Sequence, residues 1–197
     1  QRFSQDDRIV AVVGDFSCSV SMAAAEIYNQ AGIVQISPTA SHPDYTKIGE
    51  YIFRAGATQT AEGPFLARWA VNDLDYETIA TVYINSDWGV VANRYFVEEA
   101  EDLGADIIAE ESYISGDKDF QATITKIRSQ DPDMVFLAMP WADAGAIISQ
   151  MGQVGYLPSM MGPGQLSTND LIEMTGDYSE GLRANAQYFQ EDTRPVS

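Results

Sequence analysis

The sequence predicts an α/β protein built on parallel sheet, and three observations carry that expectation. Apolar runs alternate with amphipathic runs along all 197 residues. The links between them are short, as strand–helix–strand crossovers require. "MVFLAM" (134–139) is apolar at consecutive positions, the pattern of a strand covered on both faces.

In chain order, "IVAVVG" (9–14) and "GIVQIS" (32–37) read as strands, with "VSMAAAEIYNQ" (20–30) a helix between them. "EYIFRA" (50–55) continues the rhythm. "RAGATQTAEGP" (54–64) is a small-residue link, and a lobe boundary is expected there. Trp69 lies mid-helix in "FLARWAV" (65–71), a packing position. "TIATVYI" (78–84) precedes the helical "VVANRYFVEEAEDLG" (90–104), and "ADIIAEESY" (105–113) precedes "DFQATITKIRSQ" (119–130). In the latter, Phe120, Ile124 and Ile127 fall at i, i+4 and i+7, one buried stripe. "DMVFLAM" (133–139), "DAGAIISQMGQVG" (143–155) and a short strand near "SMMG" (159–162) complete the alternation.

Composition narrows the function. With 29 acidic against 11 basic residues the formal charge is −18, a field that repels a phosphate backbone, so no nucleic-acid partner is expected. The single cysteine, Cys18, cannot form an internal disulfide or a cysteine-based zinc site, and His42 is the one histidine. No metal or cofactor is expected. No apolar run approaches the ~20 residues that span a bilayer. The opening "QRFSQDDRIVAVVG" lacks the basic, apolar and small-residue succession of a signal peptide.

Ligands of open parallel sheets bind outside the carboxyl ends of the strands. The loops there are "GDFSCS" (14–19), "SPTASHPDYT" (37–46), "NSDWG" (85–89), "PWAD" (140–143) and "GPGQLST" (162–168). Hydroxyls, two tryptophans and few charges suit a pocket for a small polar molecule. The junction running into the first helix offers backbone N–H groups and a helix dipole to an anion. Ser19 or Ser21 could equally serve there as a plain N-cap. Ser41 opens "SHPD", a capping-box pattern, and so could also be only a cap. Cys18 and His42 lie on two loops of one sheet end, which leaves a Cys–His hydrolase as an alternative.

The stretches "AVVGDFSCSVSMAAAEIY", "AGIVQISPTASHPDYT", "IFRAGAT", "SDWG", "GDKDFQATITKIRSQDPDMVFLAM", "MGPGQLST" and "TGDYSEG" resemble, in order and spacing, the leucine/isoleucine/valine-binding type of periplasmic solute-binding protein. That resemblance implies a type I periplasmic-binding-protein clamshell of parallel-sheet βα lobes, non-enzymatic, with the first lobe incomplete. Residues 1–56 would be part of lobe one, 57–183 lobe two, and 184–197 a return crossing. It implies a periplasmic or extracellular receptor that delivers an amino acid of branched-chain type, or a related carboxylate, to ABC importer membrane subunits. The same fold serves ligand-sensing domains of receptors and regulators, so that alternative stays open. A first lobe short of strands would expose apolar surface, and association between copies is expected.

Residue by residue, the resemblance implies that Cys18 and Ser41 face a ligand carboxylate and that the backbone at Thr39 and Ala40 touches the ligand; the Cys18 and Ser19 N–H groups and the Ser19 hydroxyl could also hold the carboxylate. Cys18 stands where the family commonly has Ser, and a thiol is the poorer donor. Trp88 and Trp141 take wall positions. Amino-acid binders of this type carry a carboxylate after "MGP", where this chain has Gly164 and then Gln165. Gln165, Asp143 or Tyr83 would have to accept from an ammonium, or the ligand has none.

Overall fold

Three short strands open the chain in the computed structural model, which describes residues 2–186: β1 (Ala11–Val13), β2 (Val34–Ser37) and β3 (Ile52–Arg54). They pair in parallel in that order, with α1 (Cys18–Gln30) crossing from β1 to β2. The chain leaves β1 through Gly14 at φ +133°, a conformation that residues with a Cβ rarely adopt. One face of this sheet packs on α1 through Cys18, Ala25, Ala40, Tyr45 and Ile52. On the other, Val13, Ile36 and Phe53 form one cross-strand row and are 77%, 38% and 48% exposed.

The second sheet is parallel throughout, in the order β5 (Asp106–Tyr113), β4 (Thr78–Ile84), β6 (Met134–Ala138), β7 (Ser159–Gly162), β8 (Arg183–Ala184). Helices α2 (Gln59–Arg68), α3 (Asp87–Asp102), α4 (Gln121–Gln130), α5 (Trp141–Gln153) and α6 (Asn169–Thr175) complete it. Alternation along the strands builds two cores. Ala80, Val82 and Ile84 of β4 and Val135 and Leu137 of β6 meet Ile124, Ile127 and Ile147 of α4 and α5. Met134, Phe136 and Ala138 point to the opposite face, against Leu66 and Ala67 of α2 and Ala92 and Phe96 of α3. There the Phe96 and Phe136 rings stack with centroids 3.8 Å apart. The unbroken apolar run of β6 is thus explained by a helix layer on each side.

The element boundaries correct several expectations. Ser17, not Ser19 or Ser21, stands at the N-cap of α1, and its side chain makes no capping bond. Ser21 instead turns back to residue 15, accepting from the Asp15 N–H and donating to its carbonyl, each at 3.0 Å. The link at 54–64 is half helix, because α2 begins at Gln59 and holds Pro64 within it. Thr60, whose carbonyl Pro64 cannot serve, is exposed, so water can do so. Trp69 leads a π-helical turn (Trp69–Asp73) rather than sitting mid-helix. Of the segment 184–197, Ala184 closes β8, and residues 187–197 lie outside the described residues.

At Gly63, α2 lies directly on α3. A Cβ there would meet Tyr95 Cβ at 2.8 Å and the Phe96 backbone nitrogen at 2.9 Å. Gly63→Ala would gain about 1 kcal/mol of helix propensity, but the contact is with backbone, and overpacking of that kind costs about 1–3 kcal/mol. The clash is expected to win, so the variant should unfold at lower temperature and lower urea concentration than the parent. A raised Tm would contradict the close approach.

Candidate functional site

Loops from both sheets converge on one cavity of about 620 Å³. The first sheet supplies Phe16, Pro38, Thr39 and Ser41, all beyond the carboxyl ends of β1 and β2. Helix α2 supplies Gln59 and Glu62 from its first turns, and Trp88 and Trp141 come from the starts of α3 and α5. Gly164, Gln165, Ser167 and Thr168 follow β7.

Four lining residues, Ser41, Gln59, Glu62 and Gly164, are joined into one chain of hydrogen bonds. The Gln59 backbone N–H donates to the Ser41 carbonyl at 3.0 Å, and Gln59 Nε2 donates to Ser41 Oγ at 3.0 Å and to Glu62 Oε2 at 2.6 Å. Glu62 Oε1 accepts from the Gly164 N–H at 3.2 Å and from Asn185 Nδ2 at 3.0 Å. Ser41 therefore does not cap a helix: its oxygen is an acceptor for Gln59, and its hydroxyl proton stays available to a ligand. Thr168 is arranged alike, since Oγ1 caps α6 by accepting from the Leu171 N–H at 3.2 Å. Thr39 Oγ1 donates to the Phe16 carbonyl at 2.8 Å and so offers a ligand only an acceptor.

Five of the residues expected from sequence lie together on this cavity: Thr39, Ser41, Trp88, Trp141 and Gln165. Trp88 also packs against all three apolar clusters of the described residues, so its ring is held where the two sheets meet. Cys18, Ser19 and Ala40 are not among the lining. Cys18 is buried in the core under the first sheet. Ala40 is fully buried, with its N–H on Ser37 Oγ at 2.9 Å. Ser19 points its hydroxyl at Asp87 Oδ2, 2.7 Å away, joining α1 to α3. At the junction into α1 the Ser19 hydroxyl and the Ser17 N–H are thus engaged by Asp87 and Asp15.

Two candidate acceptors lie elsewhere. Asp143 accepts from the Tyr113 hydroxyl at 2.8 Å and from Lys118 Nζ at 3.2 Å, beneath the start of α5. Burial, then the bond to Asp143, pushes the Tyr113 hydroxyl well above its ordinary pKa. Tyr83 packs with the apolar cluster on the α2–α3 side of the second sheet. Among the described residues no hydrogen bond links Cys18 to His42, whose Nδ1 accepts from the Asp44 N–H at 3.2 Å. No group of three metal-ligating side chains occurs among them either, nor any helix long and apolar enough to cross a membrane. Sequence reasoning missed Phe16, Gln59, Glu62 and Thr168. The one signal for the α2 pair was their i, i+3 spacing, which a Gly-Pro pair directly after it disguised as a link.

The chain matches, over residues 1–197, the family described as periplasmic binding protein. The leucine-, isoleucine-, valine-, threonine- and alanine-binding protein of Pseudomonas aeruginosa is 27% identical over 191 residues, covering 96% of this chain and 51% of that protein. The chain spans about half the length of the curated relatives it matches. Among solved structures, the branched-chain amino acid transporter substrate-binding protein LivJ from Streptococcus pneumoniae, in complex with isoleucine, superposes with a TM-score of 0.85 at 23% identity, over 92% of this chain and 52% of that one. A solute-binding protein of an ABC transporter from Rhodopseudomonas palustris, in complex with 3,4-dihydroxybenzoic acid, gives 0.83 at 23%, over 91% and 50%. At that identity the likeness is one of fold.

The cavity's shape rests on Gln59. Gln59→Ala removes both side-chain donors and leaves a buried hydroxyl oxygen and a carboxylate oxygen short of a partner. A loss of about 2 kcal/mol is expected, read as a Tm lower by roughly 4–8 °C. An unchanged Tm would mean that the bonded chain contributes nothing.

Proposed function

The chain belongs to the periplasmic binding protein family, and from that premise we propose that it is the solute-capturing part of an extracytoplasmic ABC-importer receptor. The solute is a small molecule with a carboxylate, most simply an amino acid of branched-chain type. One observation carries this reading: the 620 Å³ cavity combines apolar ring faces from Phe16, Trp88 and Trp141 with hydroxyls at Ser41 and Thr168 whose protons are free to donate. A carboxylate would take those protons, and an aliphatic side chain would cover the rings. A lining drawn from both sheets, with Phe16 and Ser41 from the first and Trp88, Trp141 and Thr168 from the second, supports a solute held between lobes 1–56 and 57–183. Closure of the lobes on the ligand would be what the importer's membrane subunits recognise. The bare row Val13, Ile36 and Phe53 supports contact of the first sheet with further protein, a second copy included.

A ligand that binds only the folded state stabilises it by mass action, about 2.7 kcal/mol at a hundredfold excess over Kd. A thermal-shift screen against amino acids, simple carboxylates and amides is therefore expected to raise Tm by roughly 5–10 °C with its best branched-chain amino acid. Ser41→Ala should weaken that ligand about tenfold, the worth of one charge-assisted bond. A screen in which no small carboxylate moves Tm would reject the proposal.

A further inference from the structure

The cavity holds one formal charge. Of the described residues lining it, only Glu62 is ionisable, and none is Lys, Arg or His. Three donors reach its carboxylate: Gln59 Nε2 on Oε2, and the Gly164 N–H and Asn185 Nδ2 on Oε1. All three are neutral, and no ion pair of the described residues includes Glu62. A carboxylate has about four acceptor positions, so among the described residues one remains, on Oε2, and no cation of theirs pairs with the charge. The side chain is half-buried, where an unmatched charge costs more than in open water.

Position adds to this. A Cβ built on Gly164 would lie 3.6 Å from Glu62 Oε1. The carboxylate of α2 thus occupies the space next to a residue that has no side chain of its own to offer. The ring faces of Trp88 and Trp141 on the same cavity favour a cation as well. The whole chain, at −18, draws cationic groups and opposes purely anionic ones.

We infer that Glu62 is the ammonium acceptor of this cavity and the residue that selects ligands with a protonated amine over the same molecules without one. The inference rests on the solute-binding reading above and narrows it: Ser41 and Thr168 donate to the ligand's carboxylate while Glu62 accepts from its nitrogen. The pair of roles matches a zwitterion. Gly164 then serves by leaving room, and Gln165, Asp143 and Tyr83 are not needed.

Calorimetric titration with leucine and with 4-methylpentanoate, which lacks only the amine, tests this. The parent protein is expected to bind leucine at least tenfold more tightly. In Glu62→Gln that preference should fall at least tenfold, because leucine loses at least tenfold more affinity than 4-methylpentanoate does. Glu62→Asp, which keeps the charge on a shorter arm, should retain a preference for leucine and serves if the Gln variant does not fold. Equal weakening of both ligands in Glu62→Gln would reduce Glu62 to a structural clasp and overturn the inference. So would tighter binding of 4-methylpentanoate by the parent, which would leave the solute-binding reading standing. Binding of neither ligand by the parent would reject the branched-chain reading and the inference together.

Discussion

The chain of hydrogen bonds Ser41–Gln59–Glu62–Gly164 is the one set of contacts on which the geometry of the cavity depends. It starts on a loop of the first sheet, runs through the first turns of α2 and ends on the loop after β7 in the second sheet. Helix α2 can hold those two side chains steady because its own body is fixed: Gly63 lies on α3, and Leu66 and Ala67 are buried against β4 and β6. Packing thus sets the position, and the position sets which polar groups face the ligand. Were α2 displaced by an ångström, Ser41 Oγ and Glu62 would lose partners at once, since bonds at 2.6–3.2 Å have little slack.

Much of the fold could be read from residue order. Apolar runs alternating with amphipathic ones mark the strands and helices of the central region, and the run Met134–Met139 announces a strand with helices on both faces, which the two apolar clusters bear out. Helix starts were harder. Ser19 and Ser21 are chemically equivalent candidates for one cap, and neither takes it, because Ser21 turns to Asp15 and Ser19 to Asp87, 68 residues away. Pro64 argued locally for a link, yet α2 runs through it, because the apolar stripe of Leu66, Ala67 and Ala70 stabilises more than one missing backbone bond costs.

The site was readable where single loops make it and hidden where two distant segments do. Ser41, Trp88 and Trp141 could be named because each sits in a polar loop at a strand end. Glu62 could not, since its partner Gly164 lies 102 residues further on. A position-by-position resemblance points to Gly164 and Gln165 for the missing negative charge. In the folded chain a carboxylate reaches the same space from another helix. Fold likeness does not resolve the matter, because structures with this fold are in complex with isoleucine and with 3,4-dihydroxybenzoic acid. What discriminates is the layout of one charge and two free hydroxyl protons.

A crystal structure with leucine bound tests this layout most directly. The ligand is expected between Trp88 and Trp141, with its nitrogen within hydrogen-bond distance of Glu62 Oε2 and its carboxylate on the Ser41 and Thr168 hydroxyls. A leucine whose nitrogen rests on another acceptor, or which binds outside this cavity, would contradict it.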